Sequence, residues 1–311
     1  MSQILRFRPA VAGLSLAVLV LTLLGTPLIV AAAEGPTAAE YGVVLNLSGK
    51  QRMLSQKMSK EIMLVAMDVD KAANLKNLAA TAALFDKTLH GLRDGDADLR
   101  LPPTTNARIL RQLDTIGEIW TGFHATVDAI VAAGAVTPDQ VAEVAAANLP
   151  LLQQMNKCVK LYEKDASSAG LSADPGLAVT INLAGKQRML TQKMSKEYLL
   201  VAYGHETDAN KLNLLETYTL FERTLAGLKD GDDVLGLPAT SNADIRAQLD
   251  VVAGLWATFK PVVENGAAPG TTAFSATDLQ TLATTNLPLL KEMNAAVGMY
   301  EKEAGGGGAS M

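Results

Sequence analysis

The sequence predicts an all-α protein built as two tandem antiparallel four-helix bundles that arose by internal duplication. Hydrophobic residues make up 49% of the chain but aromatic residues only 5%, and this mixture, rich in Ala, Leu and Met, favours helices over strands. The second half of the chain repeats the first at a long, nearly constant spacing. Each half also carries the same signals for four helices. The fold class follows from these three observations together.

The repeat runs through nearly the whole chain. Five matched pairs lie 136 residues apart: Arg52/Arg188, Phe85/Phe221, Asn106/Asn242, Trp120/Trp256 and Phe123/Phe259. Further on, the pairs Asn148/Asn286 and Tyr162/Tyr300 lie 138 residues apart, so the second copy contains two extra residues. We expect the insertion in the loop ENGAAPGTT, residues 264–272. A period this long indicates duplicated domains rather than a solenoid of short repeats.

Residues 1–33 are predicted to be a signal peptide. Arg6 and Arg8 form a basic start, an apolar run continues to about Val30, and Ala31–Ala33 supply a small-residue cleavage pattern before Glu34. We therefore expect export to the periplasm or the medium, with cleavage. Without cleavage, this apolar run would be long enough to anchor the protein in a membrane. No second apolar span follows, so we expect no other contact with the bilayer.

The first copy, residues 34–170, is predicted to contain four helices. The first two are expected over residues 37–68 and 71–93. Asn106 is the predicted N-cap of the third, which ends before Gly134, and Thr137 caps the fourth. Pro138 stands at the first helical position, where proline is favoured.

The second copy, residues 171–304, is predicted to repeat this order. Asp174 and Pro175 open its first helix by the same logic. Pro150 and Pro288 lie inside the two fourth helices and are predicted to kink them. We expect residues 305–311, which are mostly glycine, to be a disordered tail.

Composition and charge exclude several function classes. The signal peptide holds two arginines and no acidic residue, so the net charge of −5 becomes −7 after cleavage, which argues against nucleic-acid binding. One cysteine and three histidines, in none of the usual metal-binding spacings, give no basis for a metal or another cofactor. No nucleophile is paired with a base, so we expect no enzymatic activity.

One short segment is retained almost unchanged between the copies. GKQRMLSQKMSKE begins at Gly49 and recurs as GKQRMLTQKMSKE from Gly185. Between residues 46–61 and 182–197, 14 of 16 positions agree, while neighbouring segments have diverged. Protein cores accept many apolar substitutions, so retained polar residues indicate either a binding function or packing between the copies.

On a helical wheel the segment has three faces. The first is apolar and predicted to be core, the second is charged and expected to be solvated, and the third is small and polar with an arginine at its centre. The apolar face holds Leu47, Leu54, Met58 and Val65, and the charged face holds Lys50, Lys57 and Glu61. The third face supplies the candidate ligand-binding residues: Ser48, Arg52, Ser55, Gln56 and Ser59 in the first copy, and Arg188, Thr191, Gln192 and Ser195 in the second.

Two interpretations of the third face remain open. In one, the arginine points to solvent or pairs with an acidic residue, and the small residues only permit close packing. In the other, the small residues leave room for a planar, oxygen-rich anion that the guanidinium meets with two hydrogen bonds.

The pattern Gly-x-x-Arg-Met-Leu-Ser/Thr-Gln-x-Met resembles the N-terminal sensory domain of type IV pilus chemotaxis transducers, the PilJ family. It is also similar, more distantly, to the P-box of NarX-type nitrate/nitrite sensor kinases. The resemblance implies an exported helical-bundle sensor module. In the nitrate sensors the P-box arginine contacts the anion where two first helices meet across a dimer, and Arg52 and Arg188 match that position. The chain shows no second membrane span and no output domain, so we expect it not to relay a signal alone.

Two functions follow as alternatives. The first is an exported binding protein that captures a small anion and presents it to a membrane receptor or transducer. The second is a structural or docking module whose repeated helix binds a chemotaxis, pilus or sensor component. For the anion, either both arginines converge on one site at a pseudo-two-fold interface, or the bundles stack end to end and each arginine has its own site or none.

Overall fold

A computed structural model describes residues 36–169 and 175–306 of the 311-residue chain. Within these ranges the chain forms α1 (Ala38–Ala66), α2 (Lys71–Asp94), α3 (Ala107–Ala133), α4 (Pro138–Ser168), α5 (Pro175–Tyr203), α6 (Thr207–Asp230), α7 (Ala243–Ala267) and α8 (Ala276–Gly306), without a β-sheet. The predicted all-α fold with four helices per copy is confirmed. The predicted signal peptide, Asp174 and residues 307–311 of the predicted tail lie outside the described residues. Residues 305–306 were also assigned to the disordered tail, which is wrong, because α8 continues to Gly306. None of these eight helices combines the length and apolarity needed to cross a bilayer.

The predicted helix starts are confirmed by their caps. The Thr37 hydroxyl accepts a hydrogen bond from the backbone N–H of Glu40, whose carboxylate accepts one from the Thr37 N–H in return. Thr137 and Gln140 form the same reciprocal pair at the start of α4. The Asn106 side chain caps α3. These bonds satisfy backbone donors that would otherwise lack partners at a helix end.

Each copy closes into a bundle around a continuous core. In the first, α1 packs against α2 and α4, and α3 packs against the same two helices, so α3 lies diagonally opposite α1. The ring centroids of Phe85 and Trp120 lie 4.3 Å apart, and those of Phe221 and Trp256 lie 4.7 Å apart in the second copy. These four aromatic residues are buried in the cores of the two bundles.

The copies differ most where the insertion was predicted. The connection between α3 and α4 spans residues 134–137, whereas that between α7 and α8 spans residues 268–275. Lys211 of α6 fastens the longer connection, because its Nζ donates to the carbonyl oxygens of Pro269 at 3.0 Å and Thr271 at 2.7 Å.

The two bundles lie side by side, with α1 packed along α5. Arg52, in the middle of α1, hydrogen-bonds to Asn182 in the first third of α5. Further along, Lys60 of α1 bonds to Asn286, which is itself bonded to Ser195 of α5. The contacts advance along α5 as they advance along α1, from Arg52 with Asn182 to Lys60 with the Asn286–Ser195 pair, so α1 and α5 run parallel. The end-to-end alternative is therefore wrong, because the contact between the copies runs along the first helices.

Candidate functional site

Arg52 of α1 forms hydrogen bonds with two other helices, α4 and α5. Its side chain is only 5% exposed. The guanidinium Nη1 donates to Asn156 Oδ1 on α4 at 3.3 Å, and Nη2 donates to Asn182 Oδ1 on α5 at 3.1 Å. One of these bonds stays within the first bundle and the other crosses to the second.

Arg188 makes the equivalent contacts with the copies exchanged. It is also 5% exposed. Its Nη1 donates to Asn294 Oδ1 on α8 at 3.3 Å, and its Nη2 donates to Asn46 Oδ1 on α1 at 3.1 Å. The reciprocity of these contacts shows an approximate two-fold relation between the bundles, with equivalent residues facing each other.

The two guanidiniums are buried cations that contact neutral acceptors. Among the described residues, no carboxylate lies within ion-pair distance of Arg52 or Arg188, although Glu163 and Glu301 act on them from further away. Burial lowers the pKa of Arg52 to about 10; Glu163 opposes this shift, and the charge of Arg188 adds to it. Both groups therefore stay charged at neutral pH. The expectation that the arginine points to solvent is wrong, and the acidic residues Glu163 and Glu301 act on the guanidiniums without a direct ion pair.

A glycine lies beneath the guanidinium of each arginine. A Cβ on Gly49 would stand 3.3 Å from Arg52 Nη2, and one on Gly185 would stand 3.4 Å from Arg188 Nη2. The guanidinium of each arginine thus folds back over its own helix, one turn toward the N-terminus. The Gly-x-x-Arg spacing follows from this contact, since residues three apart lie on the same side of a helix.

The remaining predicted site residues are all buried. Ser48, Ser55, Gln56, Ser59, Thr191, Gln192 and Ser195 are each at most 1% exposed. Their hydroxyl groups donate mostly to carbonyl oxygens of their own helix, as Ser55 Oγ does to the Arg52 oxygen at 2.9 Å. Gln56 Oε1 and Gln192 Oε1 are buried without a hydrogen-bond partner. The small polar face is thus part of the protein interior rather than an open surface.

The expectation of a solvated charged face was wrong for two of its three residues. Glu61 is 1% exposed and Lys57 is 18% exposed, and they form an ion pair one turn apart. Lys57 Nζ also donates to Thr81 Oγ1 of α2 at 2.7 Å. The wheel could not reveal this burial, because α2 covers that face only in the folded bundle. Lys50 is half-buried, and its pKa is lowered by burial and by the charge of Arg188.

Sequence reasoning missed the asparagines and two lysines. Lys60 and Lys196 are buried where the copies meet, and the six asparagines bonded to the buried cations were not singled out as site residues. These are Asn46, Asn148, Asn156, Asn182, Asn286 and Asn294. The sequence does contain a signal that could have identified them: all eight residues are identical at matched positions of the two copies.

Comparisons with known proteins agree with this architecture. The family described as "Type IV pili methyl-accepting chemotaxis transducer N-term" matches residues 38–147 and 171–282. Methyl-accepting chemotaxis protein McpN of Pseudomonas aeruginosa is 31% identical over 125 residues, which cover 40% of this chain and 22% of McpN. Protein PilJ of the same organism is 24% identical over 216 residues, which cover 67% of this chain and 30% of PilJ.

The chain thus spans less than a third of the length of each of these two relatives. The solved ligand-binding domain of the P. aeruginosa nitrate receptor McpN is 30% identical, with a TM-score of 0.35; the match covers 43% of this chain and 99% of that one. The two segments matched by the family model together make up well over half of the chain, one in each bundle. The protein belongs to the family of type IV pili methyl-accepting chemotaxis transducer N-terminal domains.

Proposed function

We propose that this chain is an exported, non-enzymatic sensory protein that binds one small planar anion, of the nitrate or nitrite kind, between α1 and α5. The observation that carries the proposal is the pair of buried guanidiniums whose hydrogen-bonded partners are asparagines. An asparagine oxygen accepts a hydrogen bond but does not neutralise the charge, and an uncompensated buried charge is costly. An anion between Arg52 and Arg188 would supply negative charge in direct contact with the guanidiniums, whereas Glu163 and Glu301 act on them only from further away.

The geometry favours one site shared by the copies over two separate sites. Each arginine reaches the first helix of the other copy, and the charge of Arg188 acts on Arg52. In this proposal the duplication places in one chain the two first helices that a receptor dimer would bring from two. Two neighbouring guanidiniums repel each other, so a bound anion should tighten the contact between the bundles.

The docking alternative receives less support. The repeated polar face is buried where the two copies meet, so it is not available to another protein in this conformation. We propose that any membrane receptor or transducer partner binds elsewhere on the bundles and senses the anion through their alignment.

Titration calorimetry with sodium nitrate tests the proposal, with nitrite and acetate as comparison ligands. We expect one anion per chain, and we expect either Arg52→Ala or Arg188→Ala to abolish binding. Arg52→Lys keeps the charge but removes the planar pair of donors, so we expect weaker rather than normal binding. Arg223→Ala is the matched control, because Arg223 is exposed and pairs with Asp232 in a loop of the second copy.

Two independent sites per chain would contradict the shared site, and no binding by any of these anions would contradict the anion proposal. A thermal or chemical stability assay provides a second readout, because an anion at a hundred times its Kd should stabilise the protein by about 2.7 kcal/mol. Export has its own test. N-terminal sequencing of the exported protein should begin at Glu34 or within a few residues, and an intact Met1 in the membrane fraction would contradict cleavage.

A further inference from the structure

Lys60 of α1 and Lys196 of α5 are buried side chains outside the proposed anion site. They are 3% and 8% exposed. Lys60 Nζ donates to Asn286 Oδ1 at 3.0 Å, and Lys196 Nζ donates to Asn148 Oδ1 at 3.2 Å. Each lysine thus leaves the first helix of one copy and ends on the fourth helix of the other.

The asparagine of each crossing is held in one orientation. Asn286 Nδ2 donates to the Thr191 carbonyl oxygen at 2.9 Å and to Ser195 Oγ at 2.7 Å, so its Oδ1 is presented to Lys60 of the other copy. Asn148 makes the equivalent bonds to Ser55 and Ser59 of α1. Each asparagine therefore connects the first helix of its own copy to the lysine on the first helix of the other copy.

These crossings are a poor source of net stability. The charged groups that act on Lys60 are Glu61 and Lys57 of its own helix, and those two already form an ion pair with each other. The acceptor from α8 is neutral. Burial lowers the pKa of both crossing lysines to about 8, with Glu197 and Lys193 taking the same places around Lys196. Apolar replacements of such buried charges are often neutral or stabilising, so retention in both copies calls for another role.

Most residues on the contacting face are small, so the register of α1 against α5 depends on the long side chains that cross between the copies. These are the arginines at one level and Lys60 and Lys196 at the other. Ser48, Arg52, Ser55 and Ser59 follow one another at intervals of four, three and four residues, which is a heptad pattern. A shift of one heptad, about 10 Å along the helix, would exchange serine levels but would also break the arginine contacts between the copies. The Lys60–Asn286 bond does not survive that shift. Buried polar residues fix the register of parallel coiled coils in the same way, at a cost in stability.

We propose that Lys60 and Lys196 are positioning residues that fix the parallel register of α1 against α5 and so hold Arg52 and Arg188 at one level. The inference goes beyond the anion site, because it concerns the alignment of the two bundles whether or not an anion binds.

Electron–electron double resonance between two spin labels measures this alignment without any ligand. Suitable label positions are Lys76 of α2 and Leu212 of α6, which are exposed and 136 residues apart. Cys158 is fully buried and should not compete for the label. The parent protein should give one narrow distance. Lys60→Met/Lys196→Met should give a broadened or second distance, while its urea midpoint stays equal or rises.

Lys211→Met is the matched control, because Lys211 is 8% exposed but bonds to the loop after α7 instead of crossing between the copies. It should keep the single parent distance. A double variant that also keeps that distance would overturn the proposal. So would a double variant that unfolds or resists urea less well, because the lysines would then be ordinary stabilising contacts. The distance between the labels is measured without nitrate, so the result does not depend on whether the protein binds an anion.

Discussion

The guanidinium of Arg52 lies over Gly49 on α1, with its Nη2 atom 3.3 Å from the place that a Cβ on residue 49 would occupy. Arg52 Nε also donates to the Gly49 carbonyl oxygen at 3.4 Å. The missing side chain lets the guanidinium fold back along its own helix and still reach Asn156 and Asn182. Gly49 thus gives the guanidinium room that a Cβ would narrow by a few tenths of an ångström.

Gly49→Ala should weaken nitrate binding by about tenfold, or ~1.4 kcal/mol, because the new methyl group displaces the guanidinium. Gly42→Ala on the same helix is the control, since a Cβ there meets nothing within 4 Å. Gly42→Ala should raise the free energy of unfolding by about 0.5–1 kcal/mol through helix propensity alone. Gly49→Ala should raise the free energy of unfolding by less than this. Calorimetry and urea unfolding measure the two effects. Equal effects of both variants would show that the glycine is incidental.

Asn182→Asp should replace the proposed anion with a built-in one. Its carboxylate would face Arg52 Nη2, now 3.1 Å from the amide oxygen, and the charged hydrogen bond should add about 1.5–3 kcal/mol to the free energy of unfolding. Nitrate affinity should fall, because the negative charge is already supplied.

The same variant has a defined pH dependence. Arg52 would lower the pKa of the new carboxyl group, so the added stability is present above about pH 4 and is lost as the pH falls through the lowered pKa. Asn213→Asp, at an exposed position of α6, makes the same change in charge away from the arginines and should leave nitrate affinity unchanged. Undiminished nitrate binding by Asn182→Asp would count against the site.

Gly266→Ala should destabilise the second bundle. A Cβ on Gly266 would stand 2.3 Å from Cδ2 and 2.7 Å from Cε2 of the buried Tyr198 ring. Overpacking of this kind costs about 1–3 kcal/mol. Gly254→Ala on the same helix is the control, because a Cβ there meets nothing within 4 Å. Urea unfolding should separate the two variants, and equal midpoints would contradict the steric explanation.

The first copy suggests how to rescue that variant. The positions that match Tyr198 and Gly266 hold Ile62 and Ile130, both fully buried. One copy therefore fills this volume with two branched side chains and the other with a large and a small residue. Tyr198→Ile combined with Gly266→Ile should recover much of the stability that either change loses alone. A double variant as unstable as the sum of the single changes would contradict this coupling.

Lys60 and Lys196 should make stability depend on pH in the alkaline range. Burial lowers the pKa of both to about 8, whereas an exposed lysine has a pKa of about 10.4. Between these values the unfolded chain binds more protons than the folded chain, so the free energy of unfolding rises with pH. Below pH 8 both states are protonated and the cost of burying the charges is fully present.

The expected rise is on the order of 1–3 kcal/mol per lysine, and Lys60→Met/Lys196→Met should lack it. Urea midpoints of both proteins at several pH values between 7.5 and 10 measure the difference. A difference that does not change with pH would show that these lysines do not titrate in this range.

The helices and their ends were predictable because their causes are local. Thr37, Asn106 and Thr137 cap helices through bonds to residues two or three positions away, so composition and spacing were enough to place them. The duplication was equally visible, since matched residues keep a constant spacing. Comparison of the copies also drew attention to Arg52 and Arg188 without any knowledge of what surrounds them.

What surrounds those arginines was decided only by the tertiary structure. Periodicity separates the faces of a helix, but it does not say which neighbour covers each face. Lys57 and Glu61 were therefore assigned to solvent, although α2 buries them. The two asparagines that accept hydrogen bonds from the Arg52 guanidinium lie 104 and 130 residues further along the chain. The second of these bonds exists only once α1 lies parallel to α5. The sequence alone determined that two equivalent arginines are present, and packing determined that they are buried and hydrogen-bonded to asparagines of both copies.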